Sequence, residues 1–172
     1  TRNDGLIWFD PSKGTIKQFV HDPYQKNSIP DNNIRTMLED PSGDFWIGTE
    51  NHGIAKLDFV TETFESKIHN PKNPNLISSN SIKSLYLNNN QLWIGTNGGG
   101  LNRLDLETSE IKTLTIESGL SNNVIYSVLD DQLGNLWLSS NKGITKVGID
   151  PSQDQYKITN YSNYDGLATE FN

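Results

Sequence analysis

Seven side chains in this sequence suit the recognition of a hydroxyl-rich ligand: Arg35, Asn51, His52, Lys83, Asn97, Tyr126 and Asn141. Guanidinium and ammonium groups donate hydrogen bonds, while amides, imidazole and phenol both donate and accept. Groups for bond-making are scarcer. There is no Cys, which removes thiol nucleophiles, disulfides and thiolate metal sites. The three imidazoles, His21, His52 and His69, lie far apart and outside His-x-x-x-His spacing. His21 and His69 each stand beside a turn, His21-Asp22-Pro23 and His69-Asn70-Pro71, so a turn-forming role is expected of both. No Gly-x-Ser-x-Gly elbow or phosphate loop occurs. Asn97-Gly98-Gly99-Gly100 lacks the Lys-Ser/Thr that would follow in a phosphate loop and reads as a hairpin turn. Asp130-Asp131 is the best carboxylate pair, and it too falls in a turn. The sequence therefore predicts no catalytic residue, no metal ligand and no cofactor.

These candidates acquire positions from an internal repeat. Trp46-Ile47-Gly48-Thr49 recurs as Trp93-Ile94-Gly95-Thr96 and, more weakly, as Trp137-Leu138-Ser139-Ser140. Each is followed by a second marker: Gly53-Ile54-Ala55-Lys56-Leu57-Asp58, Gly100-Leu101-Asn102-Arg103-Leu104-Asp105 and Gly143-Ile144-Thr145-Lys146-Val147. A further copy of it opens the chain as Gly5-Leu6-Ile7-Trp8-Phe9-Asp10. A third marker precedes each Trp, beginning at Ile34, Ile82 and Ile125. Periods of about 44–48 residues mean stacked supersecondary units.

Each unit reads as four short strands, in the second copy Ile82–Leu87, Gln91–Thr96, Leu101–Leu106 and Glu110–Thr115. Asp, Asn, Pro and Gly separate them, as tight turns require. Four antiparallel strands per repeat make the fold class all-β, a β-propeller of about three and a half blades. A partial blade covers residues 1–20, full blades cover 34–68, 82–115 and 124–160, and 161–172 lead out towards a following domain. The repeated Trp is expected to fill the space between blades. Arg35, Lys83 and Tyr126 hold one repeat position just inside strand one. Asn51, His52, Asn97 and Asn141 lie between strands two and three, on the same face as the loops before strand one. The alternative for each Asn is a turn cap, and both readings stand.

The markers resemble the two-component regulator propeller repeat, through Leu92-Trp93-Ile94-Gly95-Thr96 and Gly99-Gly100-Leu101-Asn102-Arg103-Leu104-Asp105. The closing residues 161–172, Tyr161-Ser162-Asn163-Tyr164-Asp165-Gly166-Leu167-Ala168-Thr169-Glu170-Phe171-Asn172, are similar to the segment leaving the last blade in hybrid sensors of Bacteroides-type bacteria. That resemblance implies a periplasmic ectodomain of an inner-membrane sensor histidine kinase, non-catalytic in this segment, that signals the presence of oligosaccharides. It also implies partners in the remaining blades of a parent propeller. The alternatives are a structural or dimerising segment with ligand bound elsewhere, and a propeller lyase.

Composition fits. Of 172 residues 21 are Asn and 16 Ser, which matches a chain dominated by turns. A net charge of −7 disfavours nucleic acid, and the absence of long apolar runs disfavours direct membrane insertion. The start at Thr1-Arg2-Asn3-Asp4 reads as an excised segment. Blade faces left bare at the ends predict self-association.

Overall fold

The computed structural model describes residues 3–150 and 155–167. Among these described residues all regular structure is β apart from two single turns of 3-10 helix, Ile116–Ser118 and Asn163–Asp165. The strands are β1 Leu6–Asp10, β2 Gly14–Phe19, β3 Ile34–Glu39, β4 Phe45–Thr49, β5 Ile54–Asp58, β6 Thr63–Lys67 and β7 Ile82–Asn88. They continue with β8 Gln91–Thr96, β9 Leu101–Asp105, β10 Ile111–Leu114, β11 Ser127–Asp130, β12 Asn135–Ser140, β13 Gly143–Asp150 and β14 Gln155–Tyr161. They form one two-stranded sheet, β1-β2, and three four-stranded antiparallel sheets, β3 to β6, β7 to β10 and β11 to β14. Strands are joined in sequence order within each sheet, as in propeller blades.

The chain divides into two compact units, Thr1–Ile82 and Lys83–Asn172. In the first, Phe19, Ile29, Ile47, Ala55, Leu57 and Phe64 form the core, with Leu6, Ile34 and Phe45 against it. In the second, Trp93 packs among Leu101, Leu114, Val128, Leu136, Leu138 and Val147. The edge of Tyr156 meets the Trp93 ring at 6.2 Å between centroids. Trp46 and Trp93 are buried, whereas Trp137 is half-buried and stacks on Tyr161. The indoles thus serve packing, the role their size favours.

Hydroxyls and glycines tie each hairpin. The buried Thr49 and Thr96 hydroxyls donate to the carbonyls of Gly53 and Gly100, both at 2.8 Å. The same oxygens accept the N–H of His52 and of Gly99, both at 3.0 Å. Ser140, where the third repeat departs from Gly-Thr, keeps the device by donating to the Gly143 carbonyl and accepting the Lys142 N–H. The Gly at the start of each third strand has positive φ, +71° at Gly53 and +79° at Gly100. Its N–H reaches the next repeat, Gly53 to the Asn80 carbonyl and Gly100 to the Asn123 carbonyl. Gly5 makes the same bond to Asn32. Those asparagines therefore work as clamps through their backbone. Their side chains do so as well, since Asn32 and Asn80 accept the N–H of His21 and His69 at 2.7 Å. His21 and His69 turn Nδ1 to the carbonyls of Ile29 and Ile77, which is turn geometry, as their spacing suggested.

In the first and third full sheets an aspartate closes the turn between the first and second strands. Asp40 accepts from Ser42 and faces Lys56 at 3.3 Å, while Lys56 also pairs with Asp44 at 2.9 Å. In the third full sheet Asp131 accepts the N–H of Leu133 and Asn135, the Asn135 amide and the Trp137 indole N–H. Partial withdrawal from water pushes its carboxyl up, but these donors outweigh that and bring it from 3.8 to about 2. A depressed carboxylate stabilises the fold above its unfolded pKa, and that contribution disappears as pH falls through the folded value. The urea midpoint of the wild type is therefore expected to fall further between pH 4 and pH 2 than that of Asp131→Asn. Parallel slopes for the two proteins would remove Asp131 as the source.

Candidate functional site

The loops before the first strand and between the second and third adjoin within each unit. In the first unit the Glu50 N–H donates to the Asn33 carbonyl, and in the second the Gly98 N–H donates to the Asn123 carbonyl. The seven candidate residues accordingly separate into two groups.

The first unit holds Arg35, Asn51 and His52. Arg35 sits where the register of β3 on β4 shifts between Ile34 and Thr36. Such a bulge bends a strand and re-aims a side chain. The Arg35 guanidinium pairs with Glu50. Asp31 organises the rest of the loop from a buried position. One of its oxygens accepts the Asn33 N–H at 2.9 Å; the other accepts the Asn51 N–H at 3.0 Å and faces His52 Nδ1 at 3.3 Å. Burial pushes the Asp31 carboxyl up, yet the hydrogen bonds from Asn33, His52 and Asn51 together hold it below the ordinary aspartate value. An ionised Asp31 thus fixes the orientation of the exposed His52.

Asp31 was not among the residues singled out from sequence. Its counterparts are Ser79 and Asn122, which cap the same turn by accepting the N–H of Ser81 and of Val124. The signal lay in the contrast: a carboxylate replaces a neutral cap only in the repeat that also carries Glu50, Asn51 and His52. The His52 and His21 rings lie nearly parallel, with centroids 6.2 Å apart. Both border an open cleft of about 820 Å³ whose walls include Asp44, Lys56, Asp58 and Glu65. Carboxylates, ammonium groups and imidazoles facing one wet cleft offer many hydrogen bonds to a polar ligand.

The second unit holds Lys83, Asn97, Tyr126 and Asn141. Tyr126 stands one residue before β11, and its hydroxyl donates to the Asn141 side-chain oxygen at 2.6 Å. Asn97 forms an isolated bridge with Val124, and Lys83 is half-buried on β7. Tyr126 and Asn141 therefore make a pair of their own. Asp130 ends β11 and receives the Tyr86 hydroxyl at 3.0 Å, while Asp131 begins the turn that follows. No group of three or more metal-ligating side chains exists among the described residues. No helix among them is long and apolar enough to cross a membrane.

Comparison with known proteins agrees with this architecture. The model of the family described as two component regulator propeller matches residues 28–51, 76–98 and 119–142. Each match runs from the lead-in of a first strand to the end of the second or the loop beyond it. Histidine kinase P4 of Formosa agariphila is 30% identical over 191 residues, an alignment covering 99% of this chain and 13% of that protein. A solved structure described as the extracellular domain of a hybrid two component system of B. thetaiotaomicron is 25% identical with a TM-score of 0.74. It is matched over 92% of this chain and 22% of its own. A second such extracellular domain from the same organism, 21% identical with a TM-score of 0.75 over 91% of this chain and 21% of its own, shares the fold. The chain thus spans about a fifth or less of the length of these relatives. Its three four-stranded sheets are two-component regulator propeller repeats.

Proposed function

We propose that this chain is part of the periplasmic ligand-sensing propeller of a hybrid two-component sensor histidine kinase and signals the presence of oligosaccharides. The observation carrying this reading is the loop of the first unit. Within a constant repeat frame, Asp31, Glu50 and His52 stand where the second repeat has Ser79, Asn97 and Gly99; Arg35 pairs with Glu50, and His52 borders a polar cleft. Binding loops on a rigid scaffold are where such variation concentrates. The family match and the extracellular relatives support the sensor context. In this reading the blades hold the loops still, and His52, oriented by Asp31, meets ligand hydroxyls.

The test is a dose–response of the full sensor with a transcriptional reporter and a panel of oligosaccharides. The Arg35→Ala, His52→Ala double variant is expected to need at least tenfold more of the inducing sugar, equivalent to about 1.4 kcal/mol. An unchanged response curve would assign recognition elsewhere and leave these blades a structural role.

A further inference from the structure

We propose that His21 and His52 bind one divalent transition-metal ion, of which zinc is the type, through their Nε2 atoms at the wall of the polar cleft. The site needs only the two rings and is independent of the oligosaccharide reading.

The first observation is how each ring is held. His21 turns Nδ1 to the Ile29 carbonyl at 2.8 Å, and His52 turns Nδ1 to the Asp31 carboxylate at 3.3 Å. A carbonyl and an ionised carboxylate only accept hydrogen bonds, so each Nδ1 carries the proton. The lone pair of each neutral ring therefore lies on Nε2. Metal-binding imidazoles are prepared in this way, with one nitrogen donating to a carbonyl or carboxylate while the other meets the ion.

The second observation is that the two prepared rings are neighbours, although they are distant in sequence. Their centroids lie 6.2 Å apart and their planes differ by 22°. Two imidazoles on one ion, with metal–nitrogen bonds of about 2.0–2.1 Å, place their centroids roughly 5–6 Å apart. Both side chains are exposed, so a small rotation closes the difference. Both rings line the open cleft, which gives an ion its way in. Asp22, Asp44, Asp58 and Glu65 line it too, and a cleft rich in carboxylates concentrates cations.

The third observation is a contrast between repeats. His69 copies the ring contact of His21, with Nδ1 2.7 Å from the Ile77 carbonyl, so turn chemistry alone accounts for an imidazole at that position. It does not account for His52. The residue just before the third-strand Gly is His52 in the first copy, Gly99 in the second and Lys142 in the third. Asp31 likewise gives way to Ser79 and Asn122. The second imidazole and the carboxylate that orients it thus occur together, in the one copy where His21 faces them. Imidazole nitrogen suits zinc, copper and nickel, whereas magnesium and calcium prefer oxygen. Water completes the coordination.

The test titrates Zn2+ into the chain as it is, with calorimetry for affinity and imidazole-nitrogen NMR for the atoms involved. One saturable site per chain is expected. The Nε2 resonances of His21 and His52 should move together while those of His69 stay. His52→Ala should weaken binding at least tenfold, and Asp31→Asn by about tenfold, as loss of an orienting partner does. His69→Ala should bind as the wild type does. The NMR readout on the wild type keeps the proposal falsifiable whatever the variants do to folding. Three results would overturn it: no saturable binding, shifts at His69 equal to those at His21 and His52, or Ca2+ bound as tightly as Zn2+, which would give the ion to the carboxylates instead.

Discussion

Trp93→Ala is expected to destabilise the second unit by about 3–5 kcal/mol, the usual cost of deleting a large buried aromatic. Trp93 is 1% exposed and fills the space among Leu101, Leu114, Val128, Leu136, Leu138 and Val147. Burying an aromatic removes roughly 150–250 Å² from water. At roughly 25 cal/mol per Å² that is about 4–6 kcal/mol, an upper estimate because the unfolded chain is not fully extended. The whole stability of a domain is only about 5–15 kcal/mol, so cooperative folding of this unit would be close to lost. Trp137→Ala provides the contrast. Trp137 is half-buried, stacked on Tyr161 and bonded to Asp131, and its loss should cost about 1–3 kcal/mol. Urea unfolding followed by far-UV circular dichroism measures both. Similar losses for the two would mean that the space Trp93 leaves collapses, or that the unit is packed differently.

Gly100→Ala should approach the same magnitude for a different reason. Gly100 has φ of +79°, where a side chain costs of order 1–3 kcal/mol. A Cβ there would also lie 2.1 Å from the Leu114 carbonyl oxygen, a contact with backbone that no rotamer can relieve. The pairing of Leu101 with Leu114 would have to open, and with it the bond from Gly100 N–H to the Asn123 carbonyl. A loss of about 3 kcal/mol or more is expected. Gly98 isolates the second effect, because its φ is +93° but the space around its Cβ position is empty. Gly98→Ala should therefore cost about 1–2 kcal/mol, from φ alone. Equal losses at the two positions would show that strain in φ, and not the approach of β10, sets the cost.

The fold was legible because the repeat reports itself in side-chain types that cannot be exchanged. Trp, Gly and Thr recur where an indole fills a sheet-to-sheet gap, where two backbones nearly touch and where a hydroxyl closes a hairpin. The second-strand segment read from sequence, Gln91–Thr96, is the strand observed. Other boundaries shift by one residue: β7 runs on to Asn88, whereas β10 gives up one residue at each end. The site was less legible. A sequence repeat aligns positions, but it does not say which polar atoms are already engaged. Asn32, Asn80 and Asn123 are of the same type as Asn51, yet the side-chain oxygens of the first three accept backbone N–H groups of the frame. Asp31 passed unnoticed because an aspartate before a strand is ordinary turn chemistry, and only its reach to Asn51 and His52 distinguishes it.

The clamp from Gly5, Gly53 and Gly100 to the asparagine ahead of the next first strand has a bearing on how such arrays change size. Donor and acceptor belong to successive repeats, and Gly53 and Gly100 lie 47 residues apart. Duplicating one period of the gene, wherever the duplication begins, reproduces one new donor and one new acceptor. Neither is left single at the join. Loss of a period is equally seamless. At the level of these bonds, copy number can therefore change without leaving a donor or an acceptor single.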